Sequence, residues 1–126
     1  MPSARVYNSA AISIPSVTVT VLTFDTERFD NDAIHSTASN TGRLTCVTAG
    51  RYVITGNVEF AAGAGTSRIL NIQLNGTTDI ARTLVAPVAS VVTRMNITTI
   101  YDLAVGDYVE LTVYHTVGSA INVNAS

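Results

Sequence analysis

The chain has 126 residues, enough for one domain with its own core and too few for two of ordinary size. Seven arginines, no lysine and nine acidic residues leave a net charge near −2. That balance offers no electrostatic footprint for nucleic acid or for an anionic membrane, and no apolar run is long enough to insert as a helix. Val, Ile and Thr supply 44 residues. These β-branched types suit a pleated sheet and lose rotamer freedom in a helix. No window of helical length carries the i, i+3, i+4, i+7 apolar pattern, so an all-β chain is expected.

Taken in chain order, the pattern predicts about eight strands. Ala4 to Tyr7 is short. Val17 to Phe24 alternates valine with threonine. Arg43 to Val47 follows a loop rich in Ser, Thr and Asn. Arg51 to Phe60 places Tyr52, Ile54, Val58 and Phe60 on one face with Gly56. Ser67 to Leu74 turns Leu70, Ile72 and Leu74 inward. Asn75-Gly76 is the strongest short hairpin signal in the chain, since both central residues of that turn need positive φ. Thr78 to Val85 returns, and Ser90 to Ile100 follows. After Gly106-Asp107, the stretch Tyr108 to His115 alternates strictly: Val109, Leu111 and Val113 on one face, Tyr108, Glu110, Thr112 and Tyr114 on the other. Ala120 to Val123 starts one more strand. Many short strands at regular spacing with Gly turns predict a sandwich or barrel.

Charge is sparse. A folded monomer of this mass exposes about 6,500 Å², roughly 400 Å² per charge. Either Thr, Ser and Asn carry the solubility or part of the surface is buried in an oligomer; the 47% hydrophobic content favours the second, and both can hold together. Tyr108 and Tyr114 are candidate interface residues, because tyrosine combines apolar area with a hydrogen-bonding tip. His115, next along the strand, is expected at an edge or interface.

Catalytic grammar is thin. Cys46, the only cysteine, sits in the apolar stretch Leu44 to Val47 and reads as a buried, inert thiol. His35 and His115 are the only histidines and lie far apart. Asp25, Glu27, Asp30 and Asp32 form the one acidic concentration. Asp25, Asp30 and Asp32 are weak Ca²⁺ candidates, but their spacing is not that of an EF-hand, and a solvated loop with Asx turns is the plainer reading. Asp107 is expected to bond the backbone of its own turn. Gly63 and Gly65 open no helix and make no phosphate loop. No cofactor is expected.

Five segments in this order resemble the C1q/TNF jelly-roll superfamily, C1q-like branch, of a bacterial or phage type. They are Ala4-Arg5-Val6, Leu22 to Asp30, Ala49 to Ile54, Arg68 to Ile72 with Asn75-Gly76, and Leu103 to Val109 with its Gly106-Asp107 turn. The resemblance runs from Ala4 to about Gly118. It implies one domain over residues 1–126: a jelly-roll β-sandwich of two antiparallel sheets, assembled as a tight trimer about a three-fold axis. It also implies an opening strand beside the closing strand. Here the closing strand is short, so the stub at residues 120–123 is expected to pair with the inner sheet, and a neighbouring chain is expected to cover any open edge.

On this reading the chain is a non-enzymatic structural or recognition module. It would be a homotrimeric head on a virion (decoration, fibre or receptor-binding protein) or on a bacterial surface. Its partners would be itself, other virion or surface proteins, and a host surface glycan or protein. No signal peptide is recognised, so the chain is expected to be made in the cytosol. The alternative is a Ca²⁺-dependent, lectin-like ligand-binding module, and a hydrolase is remote.

Overall fold

The structure, a computed structural model, describes residues 1–126. It contains eleven strands and no helix: β1 (Ala4–Tyr7), β2 (Ile12–Ile14), β3 (Thr20–Val21), β4 (Thr26–Asp30), β5 (Leu44–Thr45), β6 (Gly50–Phe60), β7 (Arg68–Leu74), β8 (Thr78–Val85), β9 (Thr93–Leu103), β10 (Tyr108–His115) and β11 (Ile121–Val123). Two antiparallel sheets face each other as a jelly-roll sandwich. The inner sheet runs β2-β11-β6-β9; the outer runs β3-β10-β7-β8, with β5 also paired to β10. β1 and β4 form a separate two-stranded ribbon.

The period-two pattern decides which side chains enter the core. Val58, Phe60, Met95, Ile97, Ile14 and Val123 come from the inner sheet; Leu70, Ile72, Val109, Leu111 and Val113 meet them from the outer. Tyr52, Ile54 and Leu74 pack at the margin of this core. Asn75 and Gly76 carry φ of 53° and 72°, the left-handed pair at the centre of the turn between β7 and β8, which Thr77 N–H closes onto the Leu74 carbonyl at 3.1 Å. Gly56 is held to glycine by packing: a Cβ there would come within 2.7 Å of Leu111 Cδ1.

The stub pairs as expected. β11 lies between β2 and β6, with Val123 opposite Phe60 and almost fully buried. Asn124 N–H donates to the Glu59 carbonyl at 2.8 Å and Ala61 N–H to the Asn122 carbonyl at 2.8 Å. β11 thus covers only the last turn of the pleat along β6.

Three expectations are corrected. Val17 to Phe24 is not a continuous strand; only Thr20–Val21 pairs with β10. The cause is local. Thr18 Oγ1 donates to the Ser16 carbonyl and Thr20 Oγ1 to the Thr18 carbonyl, side-chain bonds that compete with a ladder. Val17 is also turned to φ 54°, a sparsely populated conformation for a β-branched residue. Second, β2 and β4 lie where no separate strand was predicted. Third, β1 sits beside β4, not beside the closing strand. Its two ends are clamped there by side chains. Asp25 accepts from Ser9 N–H at 2.9 Å and from the Ser9 hydroxyl, while Asn31 Oδ1 accepts from Ser3 N–H at 2.7 Å. The closing strand takes β2 as its neighbour instead.

Candidate interaction surface

The solvent side of β6 and β9 is a long, regularly paired exposed surface. Opposed residues form a regular column: Arg51–Asp102, Val53–Ile100, Thr55–Thr98, Asn57–Asn96 and Glu59–Arg94. The outermost pairs are ionic, with Arg51 Nε donating to Asp102 Oδ1 at 2.9 Å and Arg94 Nε to Glu59. Inside them the polar pairs bond to each other: Thr55 and Thr98 hydroxyls at 3.0 Å, Asn96 Nδ2 to Asn57 Oδ1 at 2.6 Å. Hydrogen-bonding capacity is largely used within the sheet. Between the ionic and polar pairs sit Val53, 71% exposed, and Ile100, 62% exposed. Two large aliphatic side chains directly opposed on a satisfied, flat sheet make a surface suited to burial against another protein.

The residues singled out from the sequence lie elsewhere. Tyr108 and Tyr114 share the non-core side of β10 in the outer sheet, both half-buried, with Thr112 between them fully buried. The Arg43 guanidinium stacks over the Tyr108 ring at 4.1 Å and reaches toward Glu110 at 3.8 Å. His115 is corrected outright. It is fully buried within the chain and cannot meet a partner. It shares the inward parity of Val109, Leu111 and Val113, and its ring lies edge-on to Phe60 with centroids 6.2 Å apart. Nδ1 accepts the Val117 N–H, which leaves Nε2 to donate to the Ile14 carbonyl at 2.7 Å. The ring is a tie between β10 and β2. Parity along the strand carried this signal, because residue 115 falls on the same face as residue 113.

The acidic segment does not converge. Asp25 clamps the β1–β4 ribbon, and Asp32 accepts from the Thr48 hydroxyl at 2.9 Å. Asp30 gathers the N–H groups of Ile34 and His35 at 2.9 and 2.8 Å. His35 is buried between Glu27, at 2.8 Å from Nδ1, and the Thr41 carbonyl, at 2.8 Å from Nε2. These bonds fix the loop over residues 31–42. No three His, Cys, Asp or Glu side chains are placed to hold one metal ion. Cys46 is buried, with its thiol donating to the Thr48 carbonyl at 3.2 Å.

Arg68 is a functional side chain that no pattern in the sequence singles out. This arginine is fully buried and faces no carboxylate. Its guanidinium donates to the carbonyls of Gly63, Ala64 and Ser67 and lies over the Phe60 ring at 5.8 Å. Burial depresses its pKa. Arg68 pins the glycine-rich loop between β6 and β7 against the core.

Several carboxylates are held below their ordinary pKa. Hydrogen bonds from Ser9 do so at Asp25, from Asn124 and Arg94 at Glu59, from Arg51 at Asp102, and from Ala104 and Asn75 at Asp107. At Asp30, burial pushes upward, but the N–H donors of Ile34, His35 and Asp32 outweigh it together. A depressed folded pKa contributes stability above the unfolded value and loses it as pH falls through the folded value. The melting temperature is therefore expected to hold from neutral pH down to about pH 4 and to drop below it, as followed by circular dichroism. A flat profile through pH 3 would mean that these bonds contribute little.

No family model matches the chain, and no curated protein matches it. Among solved structures it is similar to the globular domain of zebrafish complement 1qA protein. The TM-score is 0.60 at 16% identity, over 92% of this chain and 94% of that one. At that identity the likeness is one of fold. The chain has a C1q-like jelly-roll fold.

Proposed function

We propose that this chain is a non-enzymatic recognition or structural module that works as a homotrimer. Its setting would be a virion, as decoration, fibre or receptor-binding protein, or a bacterial surface. The observation that carries the reading is the Val53–Ile100 pair, apolar and exposed between the Arg51–Asp102 and Thr55–Thr98 pairs of an otherwise satisfied sheet face. A three-fold axis through this face would bring three such pairs together and remove them from water. The sparse charge of the chain and its C1q-like fold support the same assembly. The reactive side chains fit a structural role. His115 is locked in one tautomer, His35 is paired with Glu27, and the Cys46 thiol meets Thr48, Tyr52 and Leu103 but no histidine. The acidic residues are spent on separate loop contacts, which disfavours the calcium-dependent lectin reading. The bacterial or phage setting rests on the sequence resemblance.

Site-directed cross-linking tests the assembly where it is placed. Cys46 is almost fully buried, so it leaves the background low. Ile100→Cys treated with a short bismaleimide is expected to yield covalent dimers and trimers on a denaturing gel. Ser39→Cys, on the exposed loop after β4, is expected to stay monomeric. Equal cross-linking at both positions, or none at Ile100→Cys, would reject this face as the contact.

A further inference from the structure

A groove of about 570 Å³ opens between the β1–β4 ribbon and the free edge of β6. One wall is β1, from Ala4 to Tyr7, with Arg28 and Phe29 of β4. The other is the edge of β6 at Thr55, Gly56 and Asn57. The floor is the core itself: Ile54, Ile72, Val109 and Leu111. β1 and β6 line the same groove without pairing.

The open wall is a strand edge with its polar groups outward. On this side β6 is paired at one position, Val123 opposite Phe60. The bonds Asn124 N–H to Glu59 carbonyl and Ala61 N–H to Asn122 carbonyl fix which residues of β6 point toward it. Backbone direction alternates along a strand, so Asn57 and Thr55 present their N–H and C=O groups to the same side. Those groups border the groove. Ser126 lies at its mouth and is tied there, its N–H donating to the Asn8 carbonyl at 3.0 Å. The line of β11 therefore leads into the groove, antiparallel to β6.

We infer that this groove binds an extended peptide strand from a partner chain, added antiparallel to the Thr55–Asn57 edge. Main-chain bonds to that edge would hold the segment, and its alternate side chains would drop onto Ile54, Ile72 and Leu111. The three-residue wall spans about 10 Å at the rise of a β-strand, so a segment of about three residues pairs with it directly and its flanks extend past either end. Charge names the chemistry further. Arg5 and Arg28 line the ribbon side and have no carboxylate partner, whereas the one acidic residue of the lining, Glu110, already faces Arg43. Arg28 is held over the Tyr7 ring at 4.6 Å, which positions it beside the groove. The fitting ligand alternates apolar residues and carries an acidic one. This edge adjoins the Val53–Ile100 face, since Thr55 and Asn57 belong to both, but it would be read through main-chain groups and not through the side chains of that face.

The probe is a synthetic hexapeptide that alternates valine with threonine and ends in aspartate. Its control is N-methylated at alternate amides, so that it keeps its side chains and loses the edge bonds. Both are titrated into the full chain and followed by amide hydrogen exchange and heteronuclear NMR. The expected result is saturable binding by the first peptide, with exchange at Thr55 and Asn57 slowed about tenfold. Arg28→Glu and, separately, Arg5→Glu are expected to weaken binding about tenfold with the spectrum of the free chain otherwise unchanged. Equal binding by the methylated peptide, or unchanged exchange at Thr55 and Asn57, would overturn the inference. So would a fatty acid that fills the groove in place of the peptide, or a self-association through this edge that the peptide dissolves.

Discussion

Phe60→Ala is expected to cost about 3–5 kcal/mol of folding stability, the largest effect of any single truncation in the core. Phe60 is fully buried and joins four parts of the molecule. It pairs with Thr93 on β9 and Val123 on β11, meets the His115 ring edge-on, and carries the Arg68 guanidinium over its face. Truncation leaves a cavity beside a buried cation that no carboxylate compensates. A domain of this size has roughly 5–15 kcal/mol in total, so the loss approaches unfolding at the low end. Denaturant titration at fixed protein concentration measures it. Phe29→Ala, at a half-exposed position on β4, is expected to cost under about 1 kcal/mol. A Phe60→Ala loss as small as that of Phe29→Ala would mean that the two faces of β6 are inverted.

The second large effect concerns assembly. Val53→Arg combined with Ile100→Asp places opposite charges directly across β6 and β9, where Arg51 and Asp102 already make such a pair one step away. Cross-strand ion pairs are tolerated on an exposed sheet face. The same charges buried at a subunit contact carry a desolvation cost of several kcal/mol per ion. The double variant is therefore expected to keep its far-ultraviolet spectrum and lose its oligomeric state at micromolar concentration. A variant that still assembles would move the contact away from this face.

The parts of the fold that the sequence revealed are those governed by local rules. Strict alternation over Arg51 to Phe60 and over Tyr108 to His115 fixes the inward faces, because a strand has no other way to arrange successive side chains. Asn75-Gly76 names its turn because few residues tolerate that backbone. The resemblance to C1q-like domains, carried by short turns and strand ends in a fixed order, anticipated the fold that the structure has.

Other features are decided by neighbours distant in sequence. Val17 to Phe24 has strand composition, yet threonine hydroxyls bond back to their own chain and Val17 leaves the β region. β1 reads as a strand but its partner is chosen by Asp25 and Asn31, two residues that read as ordinary loop polar groups. His115 closes its strand and so reads as an edge residue, although its parity points inward; the Ile14 carbonyl and Val117 N–H that satisfy it come from other segments. The Val53–Ile100 face needed the pairing of β6 with β9 in register before its two halves could be seen as one surface.

The proposed three-fold assembly of this C1q-like fold has a direct readout in the mass of the chain in solution. Static light scattering on the unmodified chain at micromolar concentration is expected to give about 40 kDa, three copies of 13.3 kDa. A monodisperse species at 13.3 kDa would contradict it.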